Sequence, residues 1–189
     1  MRAMVEAGYP LTAEALLLLP DEDRCELVRG APRPRSLAGW LHGYVTLQIG
    51  GRLATHCEVR RSGRVFAAGT GFVLGHEDDT VLAPDVSFVR AERRPERRRG
   101  FWQGPPDFAA EVISSNDSWS QVDEKVGLWL EFGCPLLLVV DPERRVAFVH
   151  RPEGARIELG ADDVFDAGDM VPGFRLALRE VWAAASDSE

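Results

Sequence analysis

Lysine is almost missing from this chain. Of its 22 basic residues, 21 are Arg and only Lys125 is Lys. Arg is used wherever any positive charge would serve, so the single position that stays Lys is expected to need a compact ammonium with rotatable donors and a shiftable pKa. Cysteine is scarce as well. Cys25, Cys57 and Cys134 are odd in number and share no metal-ligand spacing, which argues against a disulfide framework or a zinc knuckle and leaves them as reduced thiols. No apolar run approaches the roughly 18 residues of a membrane span. The Leu-rich stretch Ala15 to Leu19 is too short and too close to acidic residues to be a signal-peptide core, so a cytoplasmic location is expected. No internal repeat is visible.

What is present is enough apolar material, 45% of 189 residues, for one well-buried domain. A single domain over 1–189 with its core at about 12–182 is the expectation. The net charge of -8 argues against a surface devoted wholly to nucleic acid. That charge is unevenly spread, because Arg90 to Arg99 holds six Arg and two Glu, a local +4 against -12 elsewhere. The cluster reads either as a solvated loop or as a phosphate contact through Arg97, Arg98 and Arg99.

Taken in order, Thr12 can cap a short helix from Ala13 to Leu19 that Pro20 ends. Arg24 to Arg33 reads as a strand, a turn at Gly30 and the start of a return strand. A second helix is expected from Ser36, where Leu37, Trp40, Leu41, Tyr44, Val45 and Leu53 keep roughly one helical face. Gly43, Gly50 and Gly51 weaken its second half. Gly63 to Ala68, Gly71 to Leu74 and, after a turn at Glu77 to Asp79, Val81 to Val89 suggest strands of an antiparallel meander. Phe108 to Ser114 is a further strand, followed by a helix from about Ser118 to Phe132 that Gly133 closes. Leu136 to Val140 has the uninterrupted apolar pattern of a central strand, which makes one parallel crossover. Val146 to His150 and Arg156 to Leu159 continue the sheet, Met170 to Phe174 is a candidate strand, and Leu178 to Ala184 a closing helical turn. The fold class is therefore α/β, with a mixed central sheet flanked by helices.

Two apolar runs in this order carry a carboxylate each, Asp85 after Pro84 and Glu111 between Ala110 and Val112. A buried carboxylate is costly unless something compensates it. Converging strands would bring the two together as hard oxygen ligands of the kind that suit Mg²⁺ or Mn²⁺. On the following helix Gln121, Lys125 and Trp129 share a face, so a face turned to the sheet would aim Lys125 at the strand of Glu111. Spacing alone serves equally a plainer reading in which Asp85 is a turn residue and Glu111 a surface carboxylate paired with an Arg. His42 alone reads as a satisfied histidine, and Trp102 reads either as packing for the Arg loop or as a stacking platform. Ser114 and Ser115 lack a base beside them, which sets a serine hydrolase aside.

The ordered set of Glu26-Leu27-Val28-Arg29-Gly30, a helix beginning near His42, Pro84-Asp85-Val86-Ser87-Phe88-Val89, Glu111-Val112-Ile113-Ser114-Ser115, Lys125, Gly133-Cys134-Pro135 and Val139-Val140-Asp141-Pro142 resembles the Uma-two family of restriction-endonuclease-like proteins, within the PD-(D/E)XK nuclease superfamily. The resemblance runs from about Thr12 to Trp182. It implies a restriction-endonuclease-like sheet, divalent-metal-dependent hydrolysis of DNA, and a homodimer. It further implies Asp85 and Glu111 as metal-binding carboxylates, the carbonyl of Val112 as an added ligand, and Lys125 in place of the superfamily's Lys two residues after the Glu, where this chain has Ile113. Glu26 resembles an early Glu that serves as a ligand or water-orienting group, and His42 the family's helix-start His. Ser114-Ser115 replaces a Ser-Pro, Leu136-Leu137-Leu138 replaces a Glu-Tyr-Trp, and Trp129 stands where Tyr is usual. These departures, with the acidic surface, keep two alternatives open: a non-catalytic binding or scaffold protein on the nuclease fold, and a metal-dependent hydrolase of a small phosphorylated molecule.

Overall fold

The computed structural model describes residues 11–20, 25–34, 37–75, 79–93 and 99–183. The turn expected at Glu77 and Asp78, and Arg97 and Arg98 of the Arg-rich loop, lie outside them.

Thr12 caps α1 (Ala13–Leu17) by accepting the amide of Ala15, and the helix stops before the expected Leu19. Next come β1 (Glu26–Val28) and β2 (Ala31–Arg33). They pair antiparallel through a two-residue turn in which Arg29 and Gly30 both take positive φ, the backbone that matches the twist of a tight hairpin.

Helix α2 (Trp40–Arg60) begins later than expected and runs straight through the glycines that seemed to weaken it. Val45, Ile49, Leu53 and Cys57, one turn apart, are its buried stripe. Tertiary packing on that stripe overrides the low helix propensity of glycine.

The next strands are β3 (Gly63–Ala67), β4 (Phe72–Gly75), β5 (Thr80–Leu82), β6 (Val86–Arg90), β7 (Trp102–Gln103) and β8 (Phe108–Val112). The single strand expected over Val81 to Val89 is two strands in two sheets. Pro84 has no N–H to give a ladder, and at Ala83-Pro84-Asp85 the chain leaves one sheet for the other. The meander is correspondingly divided between those sheets.

After α3 (Trp119–Glu131) follow β9 (Leu137–Asp141), β10 (Val146–His150), β11 (Ile157–Leu159), β12 (Val164–Asp166), β13 (Arg175–Ala177) and α4 (Leu178–Trp182). No strand forms over Met170 to Phe174. A 3₁₀ turn at Gly168–Met170 instead joins the ribbon of β12 and β13, which pair antiparallel.

The central sheet has the order β11-β10-β9-β8-β6-β3. Its one parallel pair is β8 with β9, joined by α3 as the crossover. The smaller sheet has the order β2-β1-β5-β4-β7. Alternation along β8 sorts the layers. Phe108, Ala110 and Val112 face the core shared with α2, the β12–β13 ribbon and α4, while Ala109 faces the core shared with α3 and the smaller sheet. Ser118 and Gln121 form a reciprocal capping box at the start of α3. The mixed α/β architecture flanked by helices is the one the sequence pattern predicts. No described helix is long and apolar enough to cross a membrane.

Candidate active site

Period-two alternation puts Glu111 on the same face of β8 as Ala109, toward α3. There Lys125 Nζ lies 3.0 Å from Glu111 Oε1 and 3.1 Å from Oε2. One turn further along α3, Trp129 Nε1 donates to Glu111 Oε1 at 2.8 Å. Lys125 also lies 3.1 Å from Glu26 Oε1 and 3.5 Å from the carbonyl of Ala83. Glu26, on β1, accepts the amide of Ala83 at 2.8 Å, which ties the smaller sheet to the Ala83-Pro84-Asp85 break.

Asp85 occupies that break rather than the strand interior. β6 starts only at Val86, so the amide of Val112 would lack a partner on that side, and Asp85 Oδ2 accepts it at 2.8 Å. The same oxygen is 3.2 Å from Nε2 of His42, in the first turn of α2. The structure thus brings together Glu26, His42, Asp85, Glu111 and Lys125 around a cavity of about 580 Å³, which Val112 also lines. The strand break at Pro84 is what lets Asp85 join this group.

The described ends of the Arg-rich segment lie elsewhere. It leaves β6 at Arg90, the end opposite Asp85, and returns to β8 at Phe108, the end opposite Val112. Arg93 lies 3.1 Å from Asp107, whose carboxylate also accepts the amide of Arg90. Arg99 is exposed at a bend, and Trp102 is buried against Phe66, packing the segment down.

The sequence matches the profile of the Uma2 (Uma-two) family, described as "Putative restriction endonuclease", over residues 13–179. The chain belongs to the Uma2 family. Its fold is similar to the crystal structure of a putative nuclease belonging to DUF820 from Anabaena variabilis ATCC 29413, with a TM-score of 0.79 and 20% identity over 92% of this chain and 98% of that one. DrdV in its cryo-electron-microscopy complex with DNA aligns with 79% of this chain and 14% of its own, at 15% identity and a TM-score of 0.35, too low to inform the fold. No curated protein matches the sequence.

In this Uma2 chain the electrostatics of the cavity follow from three carboxylates sharing one ammonium. Burial pushes Glu111 up to about 7; Lys125 pulls against that rise, while the charges of Asp85 and Glu26 add to it. Burial alone would lower Lys125, but Glu111, Glu26 and Asp85 together hold it above its usual value, so it stays an ammonium. Burial would also raise Asp85, yet the His42 hydrogen bond and charge, the Val112 amide and Lys125 outweigh it and keep Asp85 below its usual range. His42 is raised, first by its hydrogen bond to Asp85, against the opposing effect of burial.

The donor set suits a hard divalent cation. Among the described residues no three His, Cys, Asp or Glu form a ready-made metal cluster. Two carboxylates at a cavity are nevertheless what Mg²⁺ ordinarily takes from a protein, the rest being water and substrate oxygen. The upward shift of Glu111 comes first from burial, with the charges of Asp85 and Glu26 adding to it. It is the amide of Val112 that the structure places against Asp85.

The hydrogen bond from Trp129 is what sequence reasoning missed. The spacing put Trp129 on the face of Lys125, and treating it as a departure from Tyr obscured that an indole N–H can donate where a phenol O–H would.

Proposed function

We propose that this chain is a divalent-metal-dependent endonuclease that hydrolyses DNA phosphodiester bonds. The observation that carries the reading is the convergence of Asp85, Glu111 and Lys125 from a strand break, a strand and a crossover helix at one cavity. Asp85 and Glu111, with the carbonyl of Val112, would hold Mg²⁺ or Mn²⁺. Such an ion, when bound, polarises a phosphoryl oxygen and acidifies a water.

The chain's own groups have separable tasks. Lys125, kept charged by Glu111 and Glu26, directs a compact ammonium at the negative charge that develops on phosphorus-bound oxygens. Glu26 positions Lys125 from the smaller sheet. His42 and the Val112 amide keep Asp85 ionised and oriented, and Trp129 orients one oxygen of Glu111. The family membership supports nuclease chemistry over the two alternatives, and Asp85, Glu111 and Lys125 all line the one cavity. Arg97, Arg98 and Arg99 would act as a tether for DNA backbone rather than at the scissile phosphate.

The test is cleavage of plasmid and single-stranded DNA by the purified protein in Mg²⁺, Mn²⁺ or EDTA beside Asp85→Asn. Nicking or linearisation with metal, and none with EDTA or in the variant, is the expected result. Metal-independent cleavage, or an Asp85→Asn protein as active as the parent, would contradict it.

A further inference from the structure

Most of the charged residues lining the cavity that would receive a phosphate are acids: Glu26, Asp85, Glu111, Asp117 and Glu124. Its cations are few. Lys125 is committed to Glu111 and Glu26, and the ring of His42 to Asp85. Among the described lining residues that leaves one arginine, Arg33, the last residue of β2. Its Cα partner across the hairpin is Glu26, so the register places Arg33 beside the Glu26–Lys125–Glu111 chain.

Arg33 is held differently from the other two cations. Its side chain is 52% exposed and its Nη2 lies 2.9 Å from Oε1 of Glu124, itself 50% exposed, on α3. An ion pair this open to water contributes little to stability. A phosphate can replace the carboxylate at little cost and offers the guanidinium fork two oxygens in matching geometry.

Resting on the nuclease reading above, we infer that Arg33 is the substrate-positioning residue of this site: it exchanges Glu124 for a backbone phosphate of DNA at the cavity mouth. Glu124 acts as the stand-in for that phosphate and keeps the guanidinium aimed at the cavity until substrate arrives. Arg33 contacts a phosphate beside the one that is cut, so it sets binding while Lys125 sets the chemical step.

The hairpin supplies its own control. Arg29, at its turn, makes a similar exposed pair with α3, 2.8 Å to Glu131, but does not line the cavity.

The experiment is a salt titration of binding, by fluorescence anisotropy of a labelled duplex oligonucleotide with Ca²⁺ in place of Mg²⁺. Arg33→Ala is expected to bind several-fold more weakly, with the slope of log K against log salt shallower by about 0.9, the loss of one phosphate contact. Glu124→Gln, which frees the guanidinium and removes a negative charge, is expected to bind several-fold more tightly, and most of that gain is expected to vanish when Arg33→Ala is added, which charge removal alone would not give. Arg29→Ala is expected to match the parent. If the parent binds and Arg33→Ala keeps its affinity and slope, or Glu124→Gln binds more weakly than the parent, the assignment of Arg33 is overturned while the nuclease reading stands. A parent that binds no oligonucleotide overturns the DNA reading, and the role of Arg33 with it.

Discussion

The indole Nε1 of Trp129 donates to Oε1 of Glu111 across 2.8 Å, joining the crossover helix to the strand it follows. Trp129 is fully buried and meets Phe72 edge to face at 6.3 Å. It is therefore both a core residue and a holder of a candidate ligand. Trp129→Phe keeps most of the packing and removes the donor, so it is expected to cost about 1–3 kcal/mol, the range for leaving a buried polar group with a missing partner. Trp129→Ala is expected to cost about 3–5 kcal/mol by adding a cavity. Urea denaturation midpoints for the two variants check this ordering.

Glu111 makes stability and metal affinity depend on pH in opposite directions. Its carboxyl stands at about 7 in the folded chain against an ordinary 4.5. The folded chain therefore binds more protons than the unfolded one in that interval, and the stability this contributes at low pH is lost as pH rises through 7. Asp85, held below its ordinary value, acts the other way and is lost on acidification. Without metal, the melting temperature of Glu111→Gln is expected to fall less than the parent's between about pH 5 and pH 8. With Mn²⁺, which needs the ionised carboxylate, the parent should gain most above pH 7 and, below it, release a proton on binding. Thermal scans with and without Mn²⁺ across that range read both effects.

Asp85 and Glu111 are expected to share one ion. Calorimetric titration with Mn²⁺ should show binding in the parent that Asp85→Ala or Glu111→Ala weakens strongly. If both variants bind like the parent, the metal site is elsewhere.

Much of this arrangement was legible because it rests on periodicity. Alternation along Phe108 to Val112 and the four-residue spacing of Lys125 and Trp129 are local, and they orient Glu111 and Lys125 toward one another once the Trp129 face of α3 packs on the sheet. The position of Asp85 was not legible in that way. The apolar run from Val81 to Val89 reads as one strand, and only the pairing of β5 and β6 in separate sheets shows that Pro84 marks a crossing. Long-range contacts were also hidden. The pairing of Glu26 with Lys125 links residues nearly a hundred positions apart, and no spacing rule reaches that far. The second half of α2 was underestimated because helix propensity is local, whereas the burial of Leu53 and Cys57 is tertiary.

Lys125 bears most directly on the account. As a preorganised cation serving the transition state, it should be worth about 10²- to 10³-fold in rate. Single-turnover cleavage of a labelled DNA, with melting temperatures alongside, separates that role from a structural ion pair to Glu111 and Glu26. The account predicts that Lys125→Ala and Lys125→Arg both lose cleavage while remaining folded, since a planar guanidinium cannot take the place of the ammonium. A Lys125→Arg protein that cleaves at the parent's rate, beside a Lys125→Ala protein that is merely less stable, would contradict it.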